Sequence, residues 1–237
     1  MVYTSRPGYG RGVIVALLVL AIVAALGASL FAGVRIVSAL TADQAGPASA
    51  EERIIEDALL AIQQDPNNVQ ARWQLSLALS TVGDYQQAKT EAEQAVEIDP
   101  QSVEGFYALG VAYRGLDDAE RAEKALVKAG SIPGSIGDVY REIFFELGEV
   151  RMAAERYDEA VAAFEGALAN GPEATYVVVA LADAYLKAGD TDRAKEEYLA
   201  VLGYDNNNDT ALAALRQLGA TDAEIEAARD VDGHRTP

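Results

Sequence analysis

The chain has 237 residues, of which 50% are hydrophobic, and a formal net charge of −18 at neutral pH. A polyanionic chain repels phosphate backbones, so its composition argues against a nucleic-acid partner. The sequence contains no cysteine, which excludes disulfides, thiolate metal ligands and cysteine nucleophiles. Its length fits one folded domain of ordinary size with an appendage.

The first predicted element is a transmembrane helix at residues 12–37. Its apolar run, residues 12–34, is uncharged and 23 residues long. At ~1.5 Å per residue such a helix is about 35 Å long, which is enough to cross a hydrocarbon core of ~30 Å. A cleaved secretory signal is the open alternative, although the apolar core of such signals usually has about 7 to 15 residues.

Basic residues flanking this segment predict its orientation. Arg6 and Arg11 precede it, whereas Arg35 is the one basic residue directly after the apolar run, and acidic residues follow soon afterwards. Because cytoplasmic flanks are enriched in Lys and Arg, we predict that residues 1–11 are a cytoplasmic tail. The remainder then lies outside the cytoplasmic membrane, beyond a small and polar linker at residues 38–50.

The rest of the chain repeats itself. Leucines recur at separations of 34 residues, with one separation of 38, at Leu75, Leu109, Leu147, Leu181 and Leu215. Within a unit, Gly or Asp breaks the chain between two apolar helical patterns and caps the second helix, at Gly83-Asp84, Asp117-Asp118 and Gly189-Asp190. Small residues beside the leucines allow helix axes to approach closely. We therefore predict four antiparallel helix hairpins.

Each unit resembles the tetratricopeptide-repeat (TPR) family, whose pattern is W-x2-L-G-x2-Y…A-x3-F…A…P. The second unit matches this pattern at Phe106, Leu109, Gly110, Tyr113, Ala122, Leu126 and Ala129. The third unit departs from it at Arg151, where tyrosine is usual. The resemblance implies an all-α fold, a right-handed α-solenoid of about four TPR hairpins with capping helices. With the predicted transmembrane helix in front, the chain looks like a membrane-anchored bacterial TPR protein.

The repeat register divides the soluble part of the chain. The predicted solenoid at 51–220 comprises a half unit at 51–66, units at 69–102, 103–140, 141–174 and 175–208, and a cap at 209–218. Residues 221–237 are predicted to form a short helix and a flexible tail. The four extra residues fall near 131–138, which contains two glycines and a proline. This segment is either a tolerated loop between repeats or a functional bend.

The resemblance places a binding groove on the concave face formed by the first helix of each hairpin. The side chains assigned to it are Trp73, Leu77, Tyr107, Val111, Arg114, Phe145, Glu149, Val179 and Asp183. They form an apolar and aromatic ladder, with acids toward its C-terminal half, where Glu142 and Glu146 add negative charge. Such a groove suits an apolar peptide or an amphipathic helix carrying basic residues. The alternative is that these aromatics are partly covered core.

The Lys and Asn positions with which one TPR subtype grips C-terminal carboxylates are occupied by other residues, namely Trp73, Leu77, Ala108, Glu142 and Glu146. A C-terminal carboxylate ligand is therefore disfavoured. Residues 205–209 resemble the start of a calcium loop, but the required glycine and glutamate are replaced by Thr210 and Arg216. The single histidine, His234, has no partner at a defined spacing. The sequence thus predicts no metal site, cofactor, small-molecule substrate or catalytic activity.

The sequence therefore predicts a membrane-anchored scaffold or adaptor that binds a segment of a partner protein. The alternative is a structural subunit or assembly factor of a larger cell-envelope complex, of the cytochrome c maturation, pilus or secretion type. The repeats themselves do not select a partner, because one scaffold serves many ligands.

Overall fold

A computed structural model describes residues 49–133, 137–169, 171 and 174–230. Within these ranges the chain forms eleven α-helices and no strand, which confirms the all-α prediction. The helices are α1 (Ala50–Gln64), α2 (Val69–Thr81), α3 (Tyr85–Ile98), α4 (Val103–Gly115), α5 (Ala119–Ser131), α6 (Asp138–Ala153), α7 (Tyr157–Leu168), α8 (Thr175–Ala188), α9 (Thr191–Tyr204), α10 (Asp209–Gln217) and α11 (Asp222–Arg229).

Several predictions concern residues outside these ranges. They are the cytoplasmic tail at 1–11, the transmembrane helix at 12–37, most of the linker at 38–50 and the tail beyond residue 230. Among the helices that are described, none has the length and apolar character needed to span a bilayer.

Short polar side chains determine where most of the helices begin. The caps that accept a hydrogen bond from a backbone N–H three residues later are Ser49, Asn68, Asp84, Ser102, Asp118, Asp190, Asn208 and Thr221. Ser49 and Thr221 complete capping boxes with Glu52 and Glu224, respectively. Each such cap satisfies an otherwise unpaired donor and stabilises the helix by about 1 kcal/mol. The polar residues between the apolar patterns therefore set the helix boundaries.

The turn inside each hairpin has the same backbone conformation in all four units. Gly83 and Gly189 have positive φ values of 83° and 88°. Asp117 and Glu155, which hold the equivalent places, reach 58° and 59°. This left-handed region costs a residue with a Cβ atom about 1 kcal/mol or more. Packing of the paired helices therefore imposes this turn even where glycine is absent.

The core follows the repeat register. The five register leucines are at most 8% exposed, and Ala88, Ala122, Ala160 and Ala194 are fully buried. A Cβ atom on Gly148 would lie 2.3 Å from Cε1 of Phe164, closer than van der Waals contact permits. The small residue in the first helix thus makes room for the bulky one in the second.

The packing of successive helices extends along the whole described chain, and the first helices α2, α4 and α6 also contact one another across units. The two ends differ. At the C-terminal end, α10 and α11 both pack on α9, where Ile225 is 4% exposed and Lys195 forms a salt bridge with Glu224 at 2.7 Å. At the N-terminal end, α1 packs on α2, and no described helix precedes it.

Candidate functional site

The side chains that the sequence assigns to a groove lie on the first helices α2, α4, α6 and α8. We call these nine residues the first-helix face: Trp73, Leu77, Tyr107, Val111, Arg114, Phe145, Glu149, Val179 and Asp183. Arg114 is exposed, and the other eight are half-buried. Half-burial means that each side chain both contacts the core and presents surface to solvent.

The N-terminal part of the first-helix face is apolar. Trp73 and Leu77 pack against the buried cluster that contains Ala92 and Leu109. Tyr107, one repeat after Trp73, packs against the next core clusters along the chain. These contacts hold the rings in place and leave part of each ring exposed. The residues therefore fit both interpretations, a binding groove and a partly covered core.

An ion pair across two units lies at the centre of the face. Nε of Arg114 donates to Oε2 of Glu146 at 2.5 Å, and Nη2 donates to Oε1 at 3.2 Å. Glu146 is only 8% exposed, and burial raises the pKa of its carboxyl, whereas Arg114 lowers it. The planar guanidinium binds this carboxylate in a two-point contact. Glu146 therefore does not supply the free negative charge that the sequence indicated.

Glu149 lies within the electrostatic influence of Arg114 but forms no ion pair with it. Its carboxylate forms no hydrogen bond or salt bridge with the residues that the structure describes. Burial raises the pKa of this carboxyl, Arg114 lowers it and Asp183 raises it. Removing a carboxylate from water without a partner is unfavourable, so an incoming cation would relieve an existing cost.

The other acids of the face are already engaged. Asp183 accepts a hydrogen bond from the hydroxyl of Tyr198. Glu142 accepts one from the hydroxyl of Tyr176 at 2.5 Å and lies beside Arg141. Burial raises the pKa of the Tyr107 hydroxyl, and Glu146 and Glu142 act in the same direction, so this phenol stays protonated at neutral pH. Of these four acids, Glu149 is thus the one without a hydrogen-bonded partner among the described residues.

The C-terminal part of the face contains an aromatic contact that the sequence reasoning missed. The ring of Tyr176 packs edge-on against Phe145 with centroids 5.0 Å apart, and Phe145 also contacts Phe164 at 5.7 Å. Tyr176 is 45% exposed. Tyr176 stands one 34-residue repeat after Glu142, its hydrogen-bond partner. This spacing in the sequence could have identified Tyr176 as part of the face. Val179 lies close by in sequence, half-buried against the C-terminal core.

Within the described ranges, no group of three or more His, Cys, Asp or Glu side chains could hold a metal ion. What the face offers is half-buried apolar and aromatic surface around one unpaired carboxylate. These are the features of a surface that binds a polypeptide segment.

The stacked hairpins define an α-solenoid, a helical-repeat protein whose neighbouring units bury one another. Tetratricopeptide-repeat sequence profiles match residues 69–102 and 151–218. These two segments are tetratricopeptide repeats, as the sequence predicts. Proteins with these repeats generally serve as scaffolds that bind protein or peptide partners. No curated protein sequence matches the chain.

Solved TPR structures share this fold. A thermophilic TPR protein of Thermus thermophilus aligns with a TM-score of 0.57 at 21% identity, over 70% of this chain and 89% of its own. YrrB, a TPR protein with an unusual peptide-binding site, gives a TM-score of 0.58 at 18% identity, over 76% and 95%. MamA (residue 41 to its end) from Desulfovibrio magneticus RS-1 gives 0.57 at 18%, over 74% and 94%. At these identities the likeness concerns the fold alone.

Proposed function

We propose that this protein is a membrane-anchored adaptor that holds a segment of a partner protein on its first-helix face. The observation that carries the proposal is the half-burial of Trp73, Tyr107 and Phe145 on successive first helices, together with Glu149, which forms no ion pair with the described residues. An aromatic anchor surface with one uncompensated charge gains most from a ligand that covers the rings and supplies the opposite charge.

The chemistry of the face defines the segment that it would bind. Apolar side chains would cover the exposed parts of Trp73, Leu77 and Val111 on the N-terminal helices. A lysine or arginine about one helical turn further along would approach Glu149. An amphipathic helix or an extended apolar peptide with one such basic residue meets both requirements. The bidentate pair of Arg114 and Glu146 leaves little attraction for a second cation at that point.

Substitution of two rings tests the binding face. A photoreactive residue at Val111 should crosslink the partner in native membranes, and mass spectrometry would identify the product. The double variant Trp73→Ala, Tyr107→Ala should abolish this product, because it removes both aromatic anchors.

The matched control is Trp73→Phe, Tyr107→Phe, which retains the ring packing in the core and should retain most of the crosslinking. Thermal unfolding by circular dichroism would show that the Ala variant remains folded. A photoreactive residue at Tyr204, which is 58% exposed at the end of α9, should give no such product. Undiminished crosslinking by the folded Ala variant would refute binding on this face.

The proposed anchor is residues 12–37, with the N-terminus in the cytoplasm and the repeats outside the cytoplasmic membrane. The supporting observation is the apolar run with Arg6 and Arg11 before it. Protease added to intact spheroplasts should then degrade the repeats without lysis, while a tag at residue 1 stays protected. Protection of the repeats together with degradation of the tag would show the opposite topology. Recovery of the chain without its first segment would show cleavage.

A further inference from the structure

Helix α1 exposes Ile54 at a position that is covered in the later units, whereas Ala58 is 5% exposed and Ala61 is half-buried. One repeat of 34 residues relates Ile54, Ala58 and Ala61 of α1 to Ala88, Ala92 and Ala95 of α3. The three alanines of α3 are fully buried, and α3 packs on α2, the first helix of its own unit. Ile54 is 49% exposed, because no described helix takes that position beside α1. Helix α1 is thus the second half of a hairpin whose first half is not among the described elements.

A groove lies where the first helix of that hairpin would pack. An open cavity of about 650 Å³ lies between α1 and α2, with Ile54, Asp57 and Ala61 on one side and Trp73, Ala78 and Thr81 on the other. In the next unit, α2 packs both on its own second helix, α3, and on the following first helix, α4. A helix in the α1–α2 groove would make the same two contacts.

The charge in the groove indicates the character of its occupant. Nη1 of Arg72 on α2 donates to Oε2 of Glu91 on α3 at 2.7 Å. Asp57 stands one repeat before Glu91, and its carboxylate forms no hydrogen bond or salt bridge with the described residues. An arginine on an occupant helix, placed as Arg72 is placed on α2, would reach Asp57.

Taken in the repeat register, the sequence upstream of α1 lacks the residues that α2 uses at this interface. Residues 35–47 stand one repeat before α2. They place Thr41 and Ala45 where α2 has its buried Leu75 and Leu79, so the two large apolar side chains are missing. They also place Ser38 where α2 has Arg72, so the cation is missing. The upstream sequence in this register therefore does not match the helix that the groove would accommodate.

We propose that the α1–α2 groove binds one amphipathic helix of a partner protein, which completes the first hairpin in trans. The helix carries two leucine-sized residues four positions apart and an arginine three positions before the first of them, as α2 does with Arg72, Leu75 and Leu79. This site is separate from the first-helix face apart from Trp73, which borders both. Its test therefore leaves Trp73 unchanged.

A labelled synthetic peptide of residues 67–83, which contains α2 and its cap, serves as the probe. Fluorescence anisotropy with the full-length chain in detergent should show saturable binding. Ile54→Asp should weaken this binding at least about tenfold, because it puts a charge into the apolar contact. Val127→Asp is the matched control, since Val127 is also 49% exposed but lies on α5, and it should leave the affinity unchanged.

Charge exchange tests the orientation of the bound helix. The Asp57→Arg variant should bind the unaltered peptide more weakly. It should bind a peptide that carries Arg72→Asp more tightly. Absence of binding, equal binding by Ile54→Asp, or failure of the exchange would overturn the proposal. Light scattering that shows dimers, dispersed by Ile54→Asp, would also overturn it and make a second copy the occupant. Crosslinking from Val111 reports on the first-helix face and should be unaffected by Ile54→Asp. The two experiments therefore test the two proposed sites independently.

Discussion

Replacing Ala160 by arginine is expected to lower the free energy of unfolding by about 3 kcal/mol or more. Ala160 is fully buried on α7, within the cluster that contains Phe164 and Leu181. A longer side chain would overpack this site, and its guanidinium would be buried without a partner. Thermal unfolding followed by circular dichroism would measure the loss as a lower midpoint.

The same substitution two residues later is the matched control. Ala162 lies on the same helix but is exposed, so Ala162→Arg should change the unfolding midpoint little. The pair separates burial from any general effect of arginine in α7. A midpoint for Ala160→Arg equal to that of Ala162→Arg would mean that the repeat register of the third unit is wrong.

Removing the guanidinium at the centre of the first-helix face is the second change with a large expected effect. Arg114→Leu should lower the free energy of unfolding by about 2 kcal/mol, because it leaves the buried carboxylate of Glu146 unpaired. The side chain of Arg114 is itself 42% exposed, which keeps the cost below that of a fully buried pair. Chemical denaturation of the variant would measure it.

The loss should depend on pH in a defined direction. Burial already raises the pKa of Glu146 above its unfolded value, and loss of Arg114 raises it further. The folded state then binds this proton more readily than the unfolded state, so stability falls as pH rises through the folded pKa. The cost of Arg114→Leu should be smaller at pH 5 than at pH 8.

Two controls isolate the buried carboxylate. Adding Glu146→Gln to Arg114→Leu should recover part of the stability and reduce the pH dependence, because a neutral amide costs less to bury. Arg121→Leu removes an arginine whose side chain is 64% exposed and paired with Asp118, and it should have little effect. Equal losses for Arg114→Leu and Arg121→Leu would contradict a special role for Glu146.

Most of the fold could be predicted from the sequence, because each repeat buries side chains at the same positions. The recurrence of Leu75, Leu109, Leu147, Leu181 and Leu215 identified core positions that the structure buries. The hairpin turns were harder to predict. Gly83, Gly189 and the Asp117-Asp118 pair indicate a turn in the sequence, whereas Glu155 adopts the left-handed conformation without such a signal.

The candidate site was only partly accessible. Periodicity placed Trp73, Tyr107 and Phe145 on one side of successive helices, because their spacing follows the repeat. It did not reveal the pairing of Arg114 with Glu146, since the 32 residues that separate them differ from the repeat length and the contact depends on how α4 crosses α6. For the same reason the sequence overstated the free acidity of the face.

The shared turn conformation affects which residues of the repeats can be exchanged. Gly83, Asp117, Glu155 and Gly189 adopt one backbone shape although they differ in charge and size. The turn conformation is therefore dictated by the packing of the paired helices and tolerates exchange of the residue at the turn. Substitutions at these turn positions should each cost little stability, while the first-helix face keeps its spacing. A repeat array built in this way can therefore vary at its hairpin turns while the packing between its helices is kept.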